Sequence, residues 1–194
     1  MARGIEFNYD KAINSATRLF WKSGYSNTSL RDLLRVMKIG EGSFYNTIKS
    51  KKNLYLLCLK HYVDTIIRKR QAVLFAAPTA KLGVRGFFKT ILDEMDDSKT
   101  PNSCLMASSV CRDVLEVKEL REYLLGHMAS FGGRFVKRLK TAKESGEFPS
   151  DFQPEIAVQV IVTYIQGMHR VAIISYDRNR VERQIDALLT GLGL

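Results

Sequence analysis

The sequence is poor in the residues that build metal sites and disulfide frameworks. Its 194 residues include three cysteines and three histidines. The cysteines, Cys58, Cys104 and Cys111, are odd in number and have no CxxC spacing, so they suit neither a set of structural disulfides nor a zinc site. The histidines are widely separated and belong to no HExxH motif. We therefore expect no metal and no cofactor.

Long apolar runs and catalytic motifs are also missing from the sequence. No uninterrupted apolar run reaches the about 18 residues that cross a bilayer, and the first residues lack the apolar core of a signal peptide. The sequence contains no glycine-rich phosphate loop and no recognisable set of nucleophile, acid and base. These absences predict a cytoplasmic protein that has no membrane partner and is not an enzyme.

Positive charge is concentrated in the first third of the chain. The whole chain has a net charge of +10 and a pI near 9.6. Residues 1–70 hold fourteen Lys or Arg and five Asp or Glu, a net charge of +9, whereas residues 71–194 hold sixteen and fifteen, a net charge of +1. A basic head on a nearly neutral remainder is typical of a protein that binds a polyanion such as nucleic acid.

Residues 24–57 contain two short helical patterns around a tight turn. Gly24 can adopt a positive φ at the end of a first helix, and Thr28 offers a hydroxyl to cap the next one. That second helix is predicted from about Ser29. Two glycines near residue 40 suit a sharp reversal, after which a third helix is predicted to begin near Glu41.

The third helix is short and polar on its outer face. Phe44 and Ile48 lie four residues apart and can pack inward, which leaves small polar side chains exposed, as in helices that read base edges in a DNA groove. A solvated helical hairpin would fit the same spacing. A basic membrane-surface helix is another alternative, but it needs a continuous cationic face, which the turn interrupts. The charge of the head favours DNA.

The stretch from residue 9 to residue 62 resembles the DNA-binding domain of the tetracycline-repressor (TetR) family across about its full length. The resemblance rests on Ala16, Leu19, Phe20, Gly24, Thr28, the Gly-Ser-Phe-Tyr run at 42–45, Ser50-Lys51 and Leu54. It implies an all-α protein that has a three-helix DNA-binding domain with a helix-turn-helix at residues 1–50. Residues 51–194 would then form a C-terminal helical bundle for ligand binding and dimerisation, with helix four as the connector.

This resemblance also implies which residues contact DNA. Phosphate or groove contacts are expected from Thr28, Arg31, Ser43, Tyr45 and Lys51. Base-reading positions are expected at Glu41, Asn46 and Thr47, and Gly42 belongs to the same DNA-binding set.

Three residues depart from the family pattern. Lys38 stands where Gly is usual in the interhelix turn, so we expect a strained φ there. Leu34 replaces a usual small Ala and needs extra room between the two helices. Glu41 replaces a usual Lys or Gln; its carboxylate can accept a hydrogen bond from a cytosine amine but repels phosphate.

Helical patterns continue beyond the head without convincing strands. The predicted helices cover about residues 51–74, 78–97, 103–114, 117–145, 154–176 and 178–192. Within the short helix at 103–114, Cys104 and Cys111 lie two turns apart and are predicted to share a face.

The last two predicted helices are apolar on more than one side, which exceeds what one core-facing stripe requires. A helix buried inside a bundle would show the same pattern, whereas the family resemblance implies a four-helix interface between two subunits. The residues predicted at this interface are Ile161, Ile165, Met168, Ala172 and Leu188. Two-fold symmetry would present two recognition helices about 34–36 Å apart, or a multiple of that distance, to a palindromic operator.

An effector pocket inside the C-terminal bundle is the remaining implication of the resemblance. Its predicted lining is Phe87, Cys104, Met106, His127, Phe131, Phe135, Tyr164 and Met168, with Gln166 and His169 as further candidate polar anchors. Each of these side chains also suits an ordinary core. The run at 104–106, Cys-Leu-Met, resembles a motif in the branch of the family that includes NemR and ComR.

These observations predict a homodimeric DNA-binding transcriptional regulator, most simply a repressor that a small-molecule effector releases from a double-stranded operator. Two alternatives stay open. One is a cysteine-based electrophile or redox sensor, for which Cys104 at the start of a helix is better placed than Cys111. The other, from a different class, is an all-α enzyme or carrier for apolar small molecules.

Overall fold

The computed structural model describes residues 8–194, and the regular structure in that range is entirely helical, which confirms the all-α fold class. The head contains three helices, and a long helix with a π turn joins it to the body. The elements are α1 Tyr9–Ser23, α2 Leu30–Met37, α3 Glu41–Thr47, α4 Lys51–Tyr62, a π-helical turn Val63–Ile67, α5 Arg68–Ala76, α6 Ala80–Asp96, α7 Leu105–Ser108, α8 Arg112–Leu115, α9 Lys118–Glu144, α10 Pro154–Ile174 and α11 Arg178–Gly191.

The head follows the sequence prediction with one change in capping. Gly24 ends α1 with a φ of 79°, as predicted. Ser29 caps α2, because its hydroxyl accepts a hydrogen bond from the Asp32 amide at 3.1 Å. The predicted cap at Thr28 was therefore wrong: Ser29 directly precedes the first helical residue, from where a hydroxyl reaches that amide. Thr28 Oγ1 instead donates to the Gly24 carbonyl at 2.6 Å.

The connecting helix is continuous but changes its winding near the middle. The sequence predicted one helix over about 51–74, and the structure extends it to Ala76 and places the π turn at Val63–Ile67. A π turn inside a helix disturbs the regular hydrogen-bond pattern and often lies at a functional site. Here the π turn lies between α4, whose buried residues pack in the head, and α5, whose buried residues pack in the body.

The segment between α6 and α9 differs from its prediction. The sequence predicted one helix over 103–114, whereas the structure has two short helices, α7 and α8, with an extended residue at Cys111 (φ −137°, ψ 159°) between them. Cys104 and Cys111 therefore do not share a helix face. Ser109 explains the break: its hydroxyl donates to the Leu105 carbonyl at 2.6 Å and lies 2.7 Å from the Tyr55 hydroxyl, which fixes the end of α7 against α4.

Two hydrophobic clusters fill the molecule, and the first extends well past residue 50. It joins the buried side chains of α1–α3 to those of α4, α7, α8 and the start of α9, among them Tyr55, Leu105 and Leu124. The second contains the buried faces of α6, α10 and α11 and the later part of α9. The head thus completes its core with residues from the body.

Helix α10 is unusually apolar. By length and composition Pro154–Ile174 could cross a membrane, with a mean hydropathy of 1.3, although polar residues interrupt its apolar sequence. The helix packs against α9 and α7, and 39% of its most apolar window is buried within the protomer. A core helix passes the same test, so this property is only weak support for a membrane span.

Replacing Lys38 with Gly should stabilise the head. Lys38 has φ 56° and ψ 44°, the left-handed conformation that the sequence predicted and that strains a residue with a Cβ. Relief of this strain should exceed the greater backbone entropy that Gly loses on folding, so we expect the free energy of unfolding in urea to rise by about 0.5–1 kcal/mol. Lys60→Gly, inside α4, is the matched control and should lower it by about 1 kcal/mol. A loss of stability in Lys38→Gly would contradict the strain.

Candidate DNA-binding face and effector cavity

The outer face of α3 is solvent-exposed and polar. Phe44 and Ile48 are completely buried, as predicted, and they fix the orientation of this short helix on the head. The exposed side of the helix carries six of the residues predicted to contact DNA, which are Glu41, Gly42, Ser43, Tyr45, Asn46 and Thr47. The structure therefore brings these residues together on one accessible surface.

The other predicted DNA contacts lie beside α3 and differ in accessibility. Arg31 on α2 is exposed. Lys51 is half-buried, its Nζ lies 4.6 Å from the centre of the Tyr25 ring, and burial lowers the pKa of its ammonium. Thr28 is buried, and its hydroxyl is already bonded to the Gly24 carbonyl. Thr28 is thus not available for the phosphate contact expected from it, because its side chain closes the α1–α2 connection.

Direct hydrogen bonds tie the head to the segment between α6 and α9. Trp21 Nε1 donates to the Ser103 carbonyl at 2.8 Å, and the Tyr55 hydroxyl lies 2.7 Å from Ser109 Oγ. Tyr62 donates its hydroxyl to Cys104 Sγ at 3.6 Å. At the surface, Lys52 Nζ and Glu119 Oε1 form an ion pair at 2.7 Å. The position of the head therefore depends on the conformation of this segment.

A cavity of about 60 Å³ lies in the body behind that segment. Its walls come from the π turn, α5, α6, α7, α9 and α10. The lining residues are Ile67, Arg70, Phe87, Cys104, Met106, Val110, Leu124, His127, Met128, Phe131, Val162, Ile165 and Gln166. Val110 and Met128 are also exposed to solvent, so they mark where the cavity approaches the surface.

The cavity includes five of the eight residues predicted to bind an effector, and Gln166 as well. Phe87, Cys104, Met106, His127 and Phe131 are the five. The other three lie elsewhere. Phe135 is a completely buried core residue against Phe87, and Tyr164 packs on Phe88 with its hydroxyl 3.4 Å from Gln184 Oε1. Met168 lines a separate groove between α10 and α11.

Sequence reasoning missed Arg70, the one charged residue in the lining. It follows Arg68 and Lys69, so it resembled part of a solvated basic run. In the structure its side chain is only 3% exposed, and its Nε and Nη2 donate to Glu94 Oε2 at 2.9 and 2.5 Å. The position of Arg70 in α5, opposite the buried face of α6, could have indicated that it is buried. Near a π turn, however, the sequence does not determine which side of the helix a residue faces.

Two further polar groups lie near Arg70 without partners. Glu94 Oε1 and both ring nitrogens of His169 are buried and accept or donate no hydrogen bond. Burial and the nearby Arg70 guanidinium lower the pKa of His169 to about 3, so its ring is neutral. His127 also has a lowered pKa, because of burial and the proximity of Arg134. Within residues 8–194 no group of three or more His, Cys, Asp or Glu is arranged to hold a metal ion.

A second exposed surface is an apolar stripe on α10. It follows a helical spacing along nearly the whole helix and contains Ile156, Val160, Thr163, Gly167, Val171 and Ile174. The residues predicted at the dimer interface lie on other faces: Ile161, Ile165, Met168 and Ala172 are buried within the protomer, and Leu188 is half-buried. These four side chains pack against this chain's own core and lie outside the exposed stripe, and their place at a dimer interface stays a prediction.

The comparisons with known proteins agree with this geometry, although no protein-family model matches the sequence. The chain is 24% identical to the uncharacterised HTH-type transcriptional regulator YezE of Bacillus subtilis (strain 168), over an alignment that covers 99% of this chain and 100% of YezE. It is also 24% identical to the HTH-type transcriptional repressor ComR of Escherichia coli (strain K12), over 84% of this chain and 78% of ComR.

A solved structure with similar architecture is that of CifR, a TetR family transcriptional regulator. A cysteine mutant of CifR, solved in complex with 26-bp double-strand operator DNA, has a TM-score of 0.89 and 26% identity to this chain, and the match covers 97% of this chain and 98% of that one. A three-helix head with an exposed polar helix, joined to a helical body, defines the class of helix-turn-helix regulators. This chain shares that architecture with TetR family regulators, and its likeness to them supports a DNA-binding transcriptional regulator.

Proposed function

We propose that the protein is a repressor that binds a palindromic operator as a homodimer and leaves it when a small molecule enters the body. Residues 1–50 would bind DNA, and residues 51–194 would bind the effector and the second subunit. The observation that carries this proposal is the shared segment 103–109: it forms part of the cavity wall at Cys104 and Met106 and is hydrogen-bonded to the head at Trp21 and Tyr55.

The DNA-binding part of the proposal is supported by charge and by shape. Residues 1–70 carry +9, and the polar residues on the outer face of α3 are close enough together to reach one groove. CifR, whose fold matches over nearly the whole chain, has been solved on operator DNA. We assign Tyr45 and Lys51 to the phosphate backbone, and Glu41, Asn46 and Thr47 to the bases.

Two substitutions should separate backbone contact from base reading. Thr47→Ala should weaken the preferred operator by roughly 1–3 kcal/mol and relax the choice at one or two base pairs, because it removes a groove contact. Lys51→Ala should weaken operator and random duplex by similar factors, because a phosphate contact carries no sequence information. Mobility-shift competition with operator variants measures both effects.

Thr141→Ala, at an exposed position on α9, is the matched control and should change neither affinity nor preference. An unchanged ranking of operator variants in Thr47→Ala would place the base-reading surface elsewhere.

The dimer part of the proposal rests on the exposed stripe of α10. An apolar stripe of this length on a surface helix is typical of a subunit interface. Thr163 and Gly167 are small residues at its centre, so two copies of α10 can approach closely. On α11 the neighbouring exposed positions Ala187 and Gly191 are also small, which suits a four-helix arrangement of α10 and α11 from two subunits.

A charge placed in this stripe should separate the subunits. Val171 is 58% exposed in the single chain, so Val171→Asp should leave the protomer folded, while burial of an unpaired carboxylate in the interface costs several kcal/mol. We expect sedimentation velocity to show a monomer at micromolar concentration, together with weaker operator binding. Leu82→Asp, at an apolar position on α6 that is 55% exposed, is the control and should remain dimeric. An unchanged dimer in Val171→Asp would exclude this face.

Release from DNA would follow from a population shift between two arrangements of the head. An effector that fits the cavity better in one arrangement changes the position of segment 103–109, and with it the position of α4 and the head. In a dimer this changes the separation of the two α3 helices, so the protein no longer matches the operator spacing.

A cysteine sensor is the second candidate, and it is favoured by the position of Cys104. The Sγ atom lies in the cavity wall and accepts a hydrogen bond from Tyr62, which belongs to the core shared with the head. A group added to this sulfur would therefore disturb the contact between body and α4. Cys58 is different: burial raises the pKa of its thiol to about 12, so it remains protonated and inert.

Treatment with N-ethylmaleimide should test the sensor. If Cys104 is the sensor, the wild type should lose operator binding as its thiolate adds to the maleimide double bond, and Cys104→Ser should retain operator binding. Cys58→Ser and Cys111→Ser are the matched controls and should respond like the wild type. Mobility shift and intact-mass measurement on the same samples relate release to modification. If N-ethylmaleimide released the wild type and Cys104→Ser from DNA equally, the sensor would be excluded. Regulation would then be attributed to reversible ligand binding in the cavity.

A further inference from the structure

The polar end of the cavity is only partly satisfied. Arg70 lines the cavity and directs both Nε and Nη2 to a single oxygen of Glu94, so no hydrogen bond engages Nη1. Glu94 Oε1 is buried and has no partner. Nearly all buried polar groups in proteins are paired, so an unpaired carboxylate oxygen next to a cavity indicates a missing partner.

His169 is a second, independent sign of a missing partner. Its side chain is 1% exposed, and neither ring nitrogen makes a hydrogen bond. It follows Ile165 by four residues and therefore lies one turn further along the face of α10 that lines the cavity. The charge of Arg70 reaches it, because that charge contributes to the low pKa of the imidazole. Arg70 on α5 lines the cavity, and the under-satisfied Glu94 on α6 and His169 on α10 lie behind it, outside the lining itself.

The balance of charge at this end selects against an anion. Glu94 already compensates the charge of Arg70, and His127 and His169 both have lowered pKa values, so the lining itself is close to neutral; the nearby charge of Arg134 is exposed to solvent. A carboxylate would add a buried charge without a counter-charge, which is costly. A hydroxyl group adds none. Its oxygen can accept from Arg70, and its proton can be donated to an acceptor in the cluster, such as Glu94 Oε1.

We propose that Arg70 is the polar anchor of the cavity, and that the ligand class it selects is a neutral, mainly apolar molecule carrying a hydroxyl group. This inference rests on the proposed function as an effector-responsive regulator and specifies the chemistry of the effector. The hydroxyl lies against the Arg70–Glu94 pair, and the apolar body of the molecule contacts Phe87, Phe131 and Met106, which dominate the rest of the lining.

A ligand larger than 60 Å³ requires the outer wall of the cavity to move, and the sequence of this wall favours such movement. This wall is the middle of α9, where Gly126, Gly132 and Gly133 flank three lining residues. A Cβ added at any of these glycines would meet nothing within 4 Å, so close packing does not require them. Each of these glycines weakens the helix relative to Ala. The ligand body can also extend towards the exposed Met128 at the mouth.

Three probes of nearly equal shape test the ligand class on the full-length protein. They are 4-fluorobenzyl alcohol, 1-ethyl-4-fluorobenzene and 4-fluorobenzoate, whose binding can be followed by fluorine NMR titration. We expect the alcohol to bind at least tenfold more tightly than both others. A fourth probe, 4-fluoroacetophenone, accepts a hydrogen bond but cannot donate one, and it should bind more weakly than the alcohol. Equal binding of the first three, tighter binding of the benzoate, or equal binding of ketone and alcohol would overturn the proposal.

A double substitution tests the anchor. Arg70→Met with Glu94→Met removes both charges together, and replacement of a buried ion pair by apolar residues of similar size is commonly tolerated. The ratio of affinities between the alcohol and the ethyl compound should fall to near one, while the ethyl compound still binds. The control is Arg85→Met with Asp186→Met. These two residues form an exposed ion pair at 2.6 Å between α6 and α11, and this variant should retain the tenfold ratio of affinities. A ratio that survives in the Arg70 and Glu94 variant would overturn the assignment.

Operator binding by the wild type, measured by mobility shift on the same preparation, separates this inference from the proposed function. Operator binding without a preference for the alcohol overturns the ligand class and leaves the regulator intact. A clear preference for the alcohol without sequence-selective DNA binding overturns the repressor and leaves the assignment of the cavity.

Discussion

The packing of α4 against the segment 103–109 is the contact on which the rest of the structure depends. Tyr55 and Tyr62 are both almost completely buried, and their hydroxyls reach Ser109 and Cys104 in that segment. A buried hydroxyl that loses its partner costs roughly 1–3 kcal/mol, so these contacts hold the segment and α4 in one relative position. Because the head has no closed core without α4, its orientation is determined by the body.

This shared core is the physical link between the cavity and the DNA-binding face on which the proposed mechanism depends. Ile67 and Arg70, in and just after the π turn, line the cavity, whereas Tyr62 just before the turn packs in the head. A helix transmits displacement along its axis, and a π turn allows its two parts to differ in rotation. In the proposed mechanism the connecting helix would therefore carry a displacement from the cavity to the head.

The head was predictable from sequence because its constraints are local. The positive φ of Gly24, the inward Phe44 and Ile48, and the exposed polar face of α3 each follow from spacing within a few residues, whereas the positive φ of Lys38 was implied by the family resemblance. The predicted cap of α2 was in error by one residue: Thr28 was predicted, and Ser29 is the cap. Local rules could not distinguish two adjacent hydroxyls, because the choice depends on where the backbone becomes helical.

The body was less predictable because its decisive contacts are distant in sequence. Apolar periodicity correctly gave the long helices, but it could not tell which apolar side of α10 covers its own core: Ile161 is completely buried, whereas Val160 is exposed. The break after α7 depends on Tyr55, more than fifty residues earlier. Arg70 resembled a solvated basic residue until α6 placed Glu94 beside it.

The partly satisfied cluster around Arg70 has an energetic consequence for regulation. To move a two-state equilibrium from 1:99 to 99:1, ligands must favour one state by about 5.5 kcal/mol in total. In a dimer with one cavity per subunit, each site supplies about half of that preference. A hydrogen bond to a charged group is worth roughly 1.5–3 kcal/mol, so one bond to Arg70 that forms in only one arrangement is of the required size. Unpaired groups such as Glu94 Oε1 and His169 raise the free energy of the empty state, which increases that difference. A cavity this small can therefore control the head, provided that its few polar contacts differ between the two arrangements.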